Sequence, residues 1–205
     1  MQKMFLILIF VACSLTPYSI SDFEGEKIDR NWKLKKLAKG SYKLQTKIVR
    51  TGKQALKLTL KSGMKVGMGS DGKVTERVEL KEKDVFHAQL DEEHIYRFSF
   101  YLPKGFPILK TRLVIGQWKQ SGENSPLIAQ RFVDGRFYIS ISNAGGKKRI
   151  LKLTRKQSMA LIGKWIDVEY KTKFSLNEGQ VDLIFGPYKA TYEGPLAYPS
   201  DEGSI

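Results

Sequence analysis

Cysteine is nearly absent: Cys13 is the only one in 205 residues. A chain with one thiol forms no intramolecular disulfide, so its fold must be held by a packed core. Histidine is almost as scarce. His87 and His94 are the only two, and no cysteine follows position 13, which leaves little for a zinc or other transition-metal site, and no cofactor is expected. No G-x-S-x-G elbow occurs, so the usual nucleophilic serine signature is missing. Helical periodicity, internal repeats, coiled-coil heptads and linkers are also missing. The longest apolar run, Phe5–Ala12, is too short to span a bilayer as a helix.

Acidic residues are outnumbered, 21 against 35 Lys and Arg, for a net charge of +14. The first twenty residues hold one lysine and no acid, so the rest carries +13. That balance favours polyanionic partners: nucleic acid, anionic lipid or acidic polysaccharide. A lysine followed by an apolar run and small residues resembles a secretory signal, with a buried N-terminal strand as the plain alternative. Residues 1–20 are therefore expected to be a signal peptide or lipoprotein leader, and 21–205 one domain. Phe10-Val11-Ala12-Cys13 loosely resembles a lipobox, which makes Cys13 a candidate for lipidation and membrane anchoring. Export disfavours nucleic acid. An exported chain without disulfides suits a bacterial envelope, whether periplasmic, secreted or anchored.

What is present is a succession of short β-type runs. Tyr42–Arg50 and Gln54–Leu60 flank Thr51-Gly52-Lys53 as a hairpin. Residues 21–42 read as an irregular leading segment, and Ser62–Lys73, with four glycines, as a loop. Val74–Lys81 alternates, with Thr75, Arg77, Glu79 and Lys81 on one face. That face is either a solvated surface with cross-strand ion pairs or a polar ladder toward a ligand. His94–Leu102 places Tyr96, Phe98 and Phe100 together and stops at a segment with Pro103 and Pro107. Trp165–Phe174 sets Ile166, Val168, Tyr170 and Phe174 against Asp167, Glu169, Lys171 and Lys173. Gln180–Phe185 is the last clear strand, and no further strand is expected from Gly186 onward. About ten short strands with turn signals and no helical pattern predict an all-β antiparallel jelly-roll sandwich, concanavalin-like in architecture.

Thr111–Ser142 is the most informative stretch. Arg112–Trp118, Leu127–Val133 and Arg136–Ser142 read as three strands, the last two joined by Asp134-Gly135, a strong hairpin signal. Gln117, Gln130 and Arg131 put polar groups inside strands, and Lys119 follows directly on the first of these strands. Leu113 and Ile115 share the sequence parity of Gln117, so periodicity alone leaves that face half apolar.

For glycoside hydrolysis, Glu76 and Glu79 fall on opposite faces, whereas Asp167 and Glu169 share one, as a hydrolase pair would; a solvated face accounts for them equally. β-Elimination makes other demands. The C5 proton of a uronate leaves only when the adjacent carboxylate is neutralised and when a base and a proton donor are at hand. Arg77 and Gln117 suit neutralisation by type, and Lys119 shares the face of Gln117.

Arg77-Val78-Glu79-Leu80-Lys81 resembles the R-x-E-L-R strand of the alginate-lyase-like polysaccharide lyases, with lysine in the last place. Gln117-Trp118-Lys119 resembles their Q-x-H strand, with lysine in place of histidine. The frame FSFYLPKGFP, VIGQWKQ and SPLIAQRF-x-DGRFYISI is similar to the broader heparin-lyase and glucuronan-lyase-like group. The resemblance spans roughly Phe23 to Tyr192. It implies a jelly roll cleaving an acidic, uronate-containing polysaccharide by β-elimination. Arg77, Gln117 and Lys119 would then stand at catalytic positions, with Glu79, Lys81, Trp118 and Arg131 as substrate-binding residues. The family's terminal Y-F-K-x-G-x-Y strand carries a catalytic tyrosine, and the chain ends at Ile205 where that strand would begin, so the resemblance implies a domain truncated there and open at one sheet edge. A non-catalytic acidic-glycan-binding protein on the same fold is the alternative. A monomer is expected in either case.

Overall fold

The computed structural model describes residues 20–36, 40–68, 74–122 and 124–199. Residues 1–19, expected as a leader and including Cys13, and residues 200–205 lie outside them. In chain order the strands are β1 (Trp32–Lys36), β2 (Tyr42–Gln45), β3 (Ala55–Leu58), β4 (Lys65–Met68), β5 (Val74–Glu76), β6 (Glu79–Glu82), β7 (Glu93–Tyr101), β8 (Leu113–Trp118), β9 (Ile128–Val133), β10 (Arg136–Asn143) and β11 (Gly146–Lys152). After the short helix α1 (Arg155–Met159) come β12 (Trp165–Lys173), β13 (Gly179–Phe185) and β14 (Tyr188–Gly194). Two four-stranded antiparallel sheets, ordered β11-β10-β9-β8 and β14-β13-β12-β7, form the sandwich. Three two-stranded ribbons, β1-β6, β2-β3 and β4-β5, accompany them. The expected all-β antiparallel jelly-roll sandwich is the fold observed.

The two sheets pack through alternate side chains. From the first come Ile128, Phe132, Phe137, Ile139 and Ile141; from the second, Ile166, Val168, Tyr170, Val181, Leu183 and Phe185. Aromatic rings bridge the sheets. Phe100 meets Phe137 edge-on at 5.9 Å, and Phe137 meets Phe185 at 5.3 Å. Each fully buried large side chain contributes roughly 1.5–3 kcal/mol. The hydroxyl of Tyr170, fully buried, donates to Gln130 Oε1 at 3.1 Å across the core. Asp134 and Gly135 have φ of 48° and 72°, the two positive values that a tight two-residue hairpin needs between β9 and β10. Thr154 caps α1: its hydroxyl accepts from Gln157 N, and the Gln157 side chain reaches back to Thr154 N.

Four expectations change. Val74–Lys81 is two strands, β5 pairing with β4 and β6 with β1, because the chain leaves the first ribbon at Arg77-Val78 to join the second. The loop read over Ser62–Lys73 contains β4, whose partner β5 follows in the chain, with Met68 opposite Val74 and Lys65 opposite Glu76, a pairing that local glycine content does not reveal. The leading segment contributes β1, anchored by Trp32, whose indole donates to Ser21 Oγ at 2.8 Å. A further strand does follow Gly186. β14 pairs with β13 along seven positions, and its inward residues Tyr188, Ala190 and Tyr192 pack on the core. Pro187 and Pro195 flank β14 rather than interrupt it, which is where proline is tolerated.

Candidate functional site

The outer face of the β8–β11 sheet is built by register. Ile128, Gln130 and Phe132 of β9 turn inward, so Ala129 and Arg131 turn out. Ala129 stands opposite Gln117 on β8 and Ser140 on β10; Ser140 in turn faces Arg149 on β11. The row Gln117–Ala129–Ser140–Arg149 thus crosses the sheet with small residues in the middle. At about 4.8 Å per strand it separates Gln117 from Arg149 by roughly 14 Å. The neighbouring row is Val114–Arg131–Tyr138–Lys152, and Ser142 faces Lys147 in a third.

β8 reaches this arrangement through an irregularity. Val114 faces Arg131, yet Gly116 faces Gln130, so Ile115 is an extra residue in the ladder. The bulge inverts the side-chain alternation beyond it. Ile115 therefore packs on the core and Leu113 stands opposite the inward Phe132, while Gln117 emerges exposed on the outer face. Trp118 then points inward, against Tyr96 at 5.2 Å, Phe98 at 6.5 Å and Tyr170 at 4.5 Å between ring centroids. Its expected place as a substrate contact is corrected: Trp118 is a core residue. Lys119, one position past the strand, is exposed.

The outer face is cationic. Arg131 is 4% exposed, and its Nη1 donates to the Ser140 hydroxyl and, at 3.3 Å, to the Ala129 carbonyl. The guanidinium carbons of Arg131 and Arg149 lie 5.8 and 5.0 Å from the Tyr138 ring centroid, within cation–π range. Burial first, then the charges of Arg112 and Arg149, push the Arg131 guanidinium below its ordinary value, with Tyr138 opposing. Lys147 is lowered too, by partial burial and then by Arg131, Arg112 and Arg149. Among the described residues no salt bridge engages Arg112, Lys119, Arg131, Lys147, Arg149 or Lys152. Arg131 Nε and Ser142 Oγ are buried without a hydrogen-bond partner. The face holds concentrated positive charge and unsatisfied polar atoms.

The opposite face, on β7 and β12, is balanced. Arg97 Nε binds Glu169 at 2.6 Å, Lys171 binds Glu93 at 2.9 Å, and Arg50 binds Asp167 through two nitrogens at 2.9 and 3.0 Å. Ser99 adds a hydrogen bond to Asp167 at 2.6 Å. The Arg50 hydrogen bond, then that from Ser99, holds the Asp167 carboxyl below its ordinary value. A carboxylate so held is a poor proton donor, and Asp167–Glu169 is a structural ion-pair ladder rather than a hydrolase pair.

The remaining candidates lie on β6 or, for Arg77, on the link that leads into it from β5. Arg77 Nη1 lies 3.6 Å from Glu79 Oε2, and Lys81 Nζ lies 3.9 Å from Asp84 Oδ1. Asp84 also accepts from Lys33 at 2.5 Å, and its Oδ1 lies 3.3 Å from His87 Nε2. The Lys33 hydrogen bond draws the Asp84 carboxyl down, and burial pushes the His87 imidazole down. No ladder among the described residues joins β6 to β8, so the strand pairing unites Gln117 with Arg131 but not with Arg77, Glu79 or Lys81. Sequence reasoning missed Arg112, Tyr138, Lys147 and Arg149. Counting cations at alternate positions of Gly146–Lys152 would have found two of them. Among the described residues no group of three His, Cys, Asp or Glu side chains is placed to hold a metal ion.

Residues 19–195 match the polysaccharide lyase family. The chain belongs to the polysaccharide lyase family. The sandwich is similar to the crystal structure of an endo-β-1,4-glucuronan lyase from the fungus Trichoderma reesei, with a TM-score of 0.54 and 16% identity over 85% of this chain and 74% of that one. At that identity the likeness is one of fold. No curated protein matches the chain in sequence.

Proposed function

We propose that this polysaccharide lyase cleaves a uronate-containing acidic polysaccharide by β-elimination on the outer face of the β8–β11 sheet. One observation carries the proposal: Arg131, Lys147 and Arg149 share one sheet face by register, Arg131 and Arg149 both lie over the Tyr138 ring, and no salt bridge among the described residues engages them. A uronate carboxylate seated there is neutralised, which acidifies the C5 proton. As that proton is taken, its electron pair forms the C4–C5 double bond, the C4–O4 bond breaks, and O4 receives a proton. Two groups on or beside this face suit the transfers. The Tyr138 hydroxyl has no hydrogen-bond partner among the described residues, and Lys119 is exposed beside Gln117. Arg77, Glu79 and Lys81, at the positions of the family strand, extend the glycan contact from the β1-β6 ribbon.

The N-terminal apolar run supports export in a bacterium, with Cys13 as a lipid anchor point. The test of export is fractionation of the full chain and of its Cys13→Ala variant. Catalysis is tested by incubating the chain with glucuronan, alginate and heparin-type polymers and following the ultraviolet absorbance of unsaturated uronate. The expected outcome is a rise with at least one polymer. Binding without any rise leaves the non-catalytic acidic-glycan protein that lysine in place of histidine at Lys119 favours. Absence of both binding and cleavage overturns the proposal.

A further inference from the structure

Beyond Ser142 the outer face runs to the β10–β11 turn and meets a cavity of about 220 Å³. Its walls include Asn143, the backbone of Gly145-Gly146, Lys147, Lys148 and Tyr192. Lys147 belongs to both regions: it stands opposite Ser142 on the outer face and also lines the cavity. Lys148 has the other parity. It stands opposite Ile141, and its ammonium lies 5.7 Å from the centroid of the Tyr192 ring, which comes from the edge strand of the second sheet.

The polar walls are tied down. Asn143 Nδ2 donates to Tyr192 OH at 3.2 Å and to the Pro195 carbonyl at 2.6 Å, and Tyr192 OH donates to that carbonyl at 2.9 Å. Asn143 Oδ1 accepts from Gly145 N at 2.9 Å. Tyr192 is thereby fixed from both sheets, and the two ammonium groups are left without a carboxylate among the described residues. The backbone at Gly146 faces open space, since a side chain there would meet nothing within 4 Å. At the junction, Ser142 Oγ is buried without a partner. A structural role competes with a binding one: an inward-pointing lysine on an edge strand blocks edge-to-edge pairing, and its stem covers apolar surface. That role explains Lys148 alone. It does not explain the cavity, the second lysine or the unpartnered serine.

We infer that this cavity is a second glycan subsite, taking a uronate unit of the same acidic chain beyond the units held on the sheet face, with its carboxylate between Lys147 and Lys148 and its ring edge against Tyr192. The inference rests on the proposed substrate class. Its test is calorimetric titration of the full chain with uronate oligosaccharides of graded length, for the wild type, Lys148→Ala and Lys148→Arg, with melting curves as a check on folding. The wild type should gain affinity once the oligosaccharide is long enough to reach the cavity. Lys148→Ala should lose about tenfold of that gain, the worth of one charge-assisted hydrogen bond, and Lys148→Arg should keep it. An undiminished length gain in Lys148→Ala, or aggregation of that variant with the gain intact, assigns Lys148 to edge protection and overturns the subsite. Failure of the wild type to bind any uronate oligosaccharide overturns the substrate class itself, a separate outcome.

Discussion

The guanidinium carbon of Arg149 lies 5.0 Å from the centroid of the Tyr138 ring, bringing a charge from the edge strand β11 over an aromatic side chain of β10. Arg131 approaches the same ring at 5.8 Å from β9. Three strands thus converge on one phenol, and the charge they bring has no internal counter-ion among the described residues. On the far side of the sandwich the charges cancel in pairs. This asymmetry makes a direct prediction. Arg149→Gln should weaken binding of an acidic polysaccharide by about tenfold and flatten its salt dependence, whereas Arg97→Gln, which removes a cation from the paired face, should leave both within about twofold. Affinity measured across a salt series checks it, and equal losses from the two variants would refute the assignment of faces.

Arg131 offers a second test. A buried guanidinium bonded only to a hydroxyl and a carbonyl, with repelling neighbours, is a cost to the unliganded fold. Arg131→Met keeps length and apolar contact while removing the charge. Its unliganded form is expected to gain about 1 kcal/mol in urea unfolding, and to lose the rise in melting temperature that acidic polysaccharide gives the wild type. Destabilisation together with a retained ligand-induced rise would show that Arg131 is structural.

How far the sequence led differs between fold and site. The sandwich was legible because its strands alternate over long spans: β12 buries Ile166, Val168, Tyr170 and Thr172 and exposes Asp167 and Lys171. The Asp134-Gly135 hairpin was legible because its geometry is local. β4 and β14 were not: β4 is short and carries glycine, β14 is flanked by proline, and pairing rather than composition makes them strands. At the site, Gln117 was found by resemblance and Arg131 as a polar residue within a strand. Which side each residue of β8 faces was hidden by the bulge at Ile115. Periodicity assumes an unbroken ladder, and one inserted residue exchanges Trp118 for Gln117 on the outer face. Arg149 and Tyr138 stayed hidden because what marks them is cross-strand register.

Glu82 supplies a pH dependence of known sign. Burial raises its carboxyl above the ordinary value, and its charge in turn helps raise Tyr96, whose hydroxyl is desolvated. An acid raised in the folded state opposes folding when ionised. That opposition is full above the folded value, fades as pH falls through it, and is gone below the unfolded value. Glu82→Gln should therefore melt higher than the wild type at neutral pH, and the difference should close as pH is lowered into the ordinary carboxylate range. A difference that is constant with pH, or that widens on acidification, contradicts the placement of Glu82.

The core bond between Tyr170 and Gln130 predicts non-additive mutations. Tyr170→Phe removes the donor and strands Gln130 Oε1 in a region where Gln130 Nε2 already lacks a partner, at a cost of about 1–3 kcal/mol. Adding Gln130→Met removes the stranded amide, so the double variant should recover most of the loss. Urea unfolding of the single and double variants measures the coupling, and simple additivity would mean the hydrogen bond is not made.

Tyr138 bears on catalysis itself. If its hydroxyl carries the proton between C5 and O4, Tyr138→Phe must keep the ring beneath Arg131 and Arg149 while abolishing transfer. The expected signature is a loss in kcat of about 10²-fold or more with KM and polysaccharide affinity nearly unchanged, because an interaction used only in the transition state has been removed. Lys119→Ala separates the two proton-transfer candidates. A large kcat loss there, with Tyr138→Phe close to wild type, moves the chemistry to the lysine at the end of β8. Losses in both assign acid and base to different residues, and the pH profile of each variant then tells which limb each one controls. A KM rise in Tyr138→Phe with kcat intact would reduce the ring to a platform for the glycan and remove Tyr138 from the proton path.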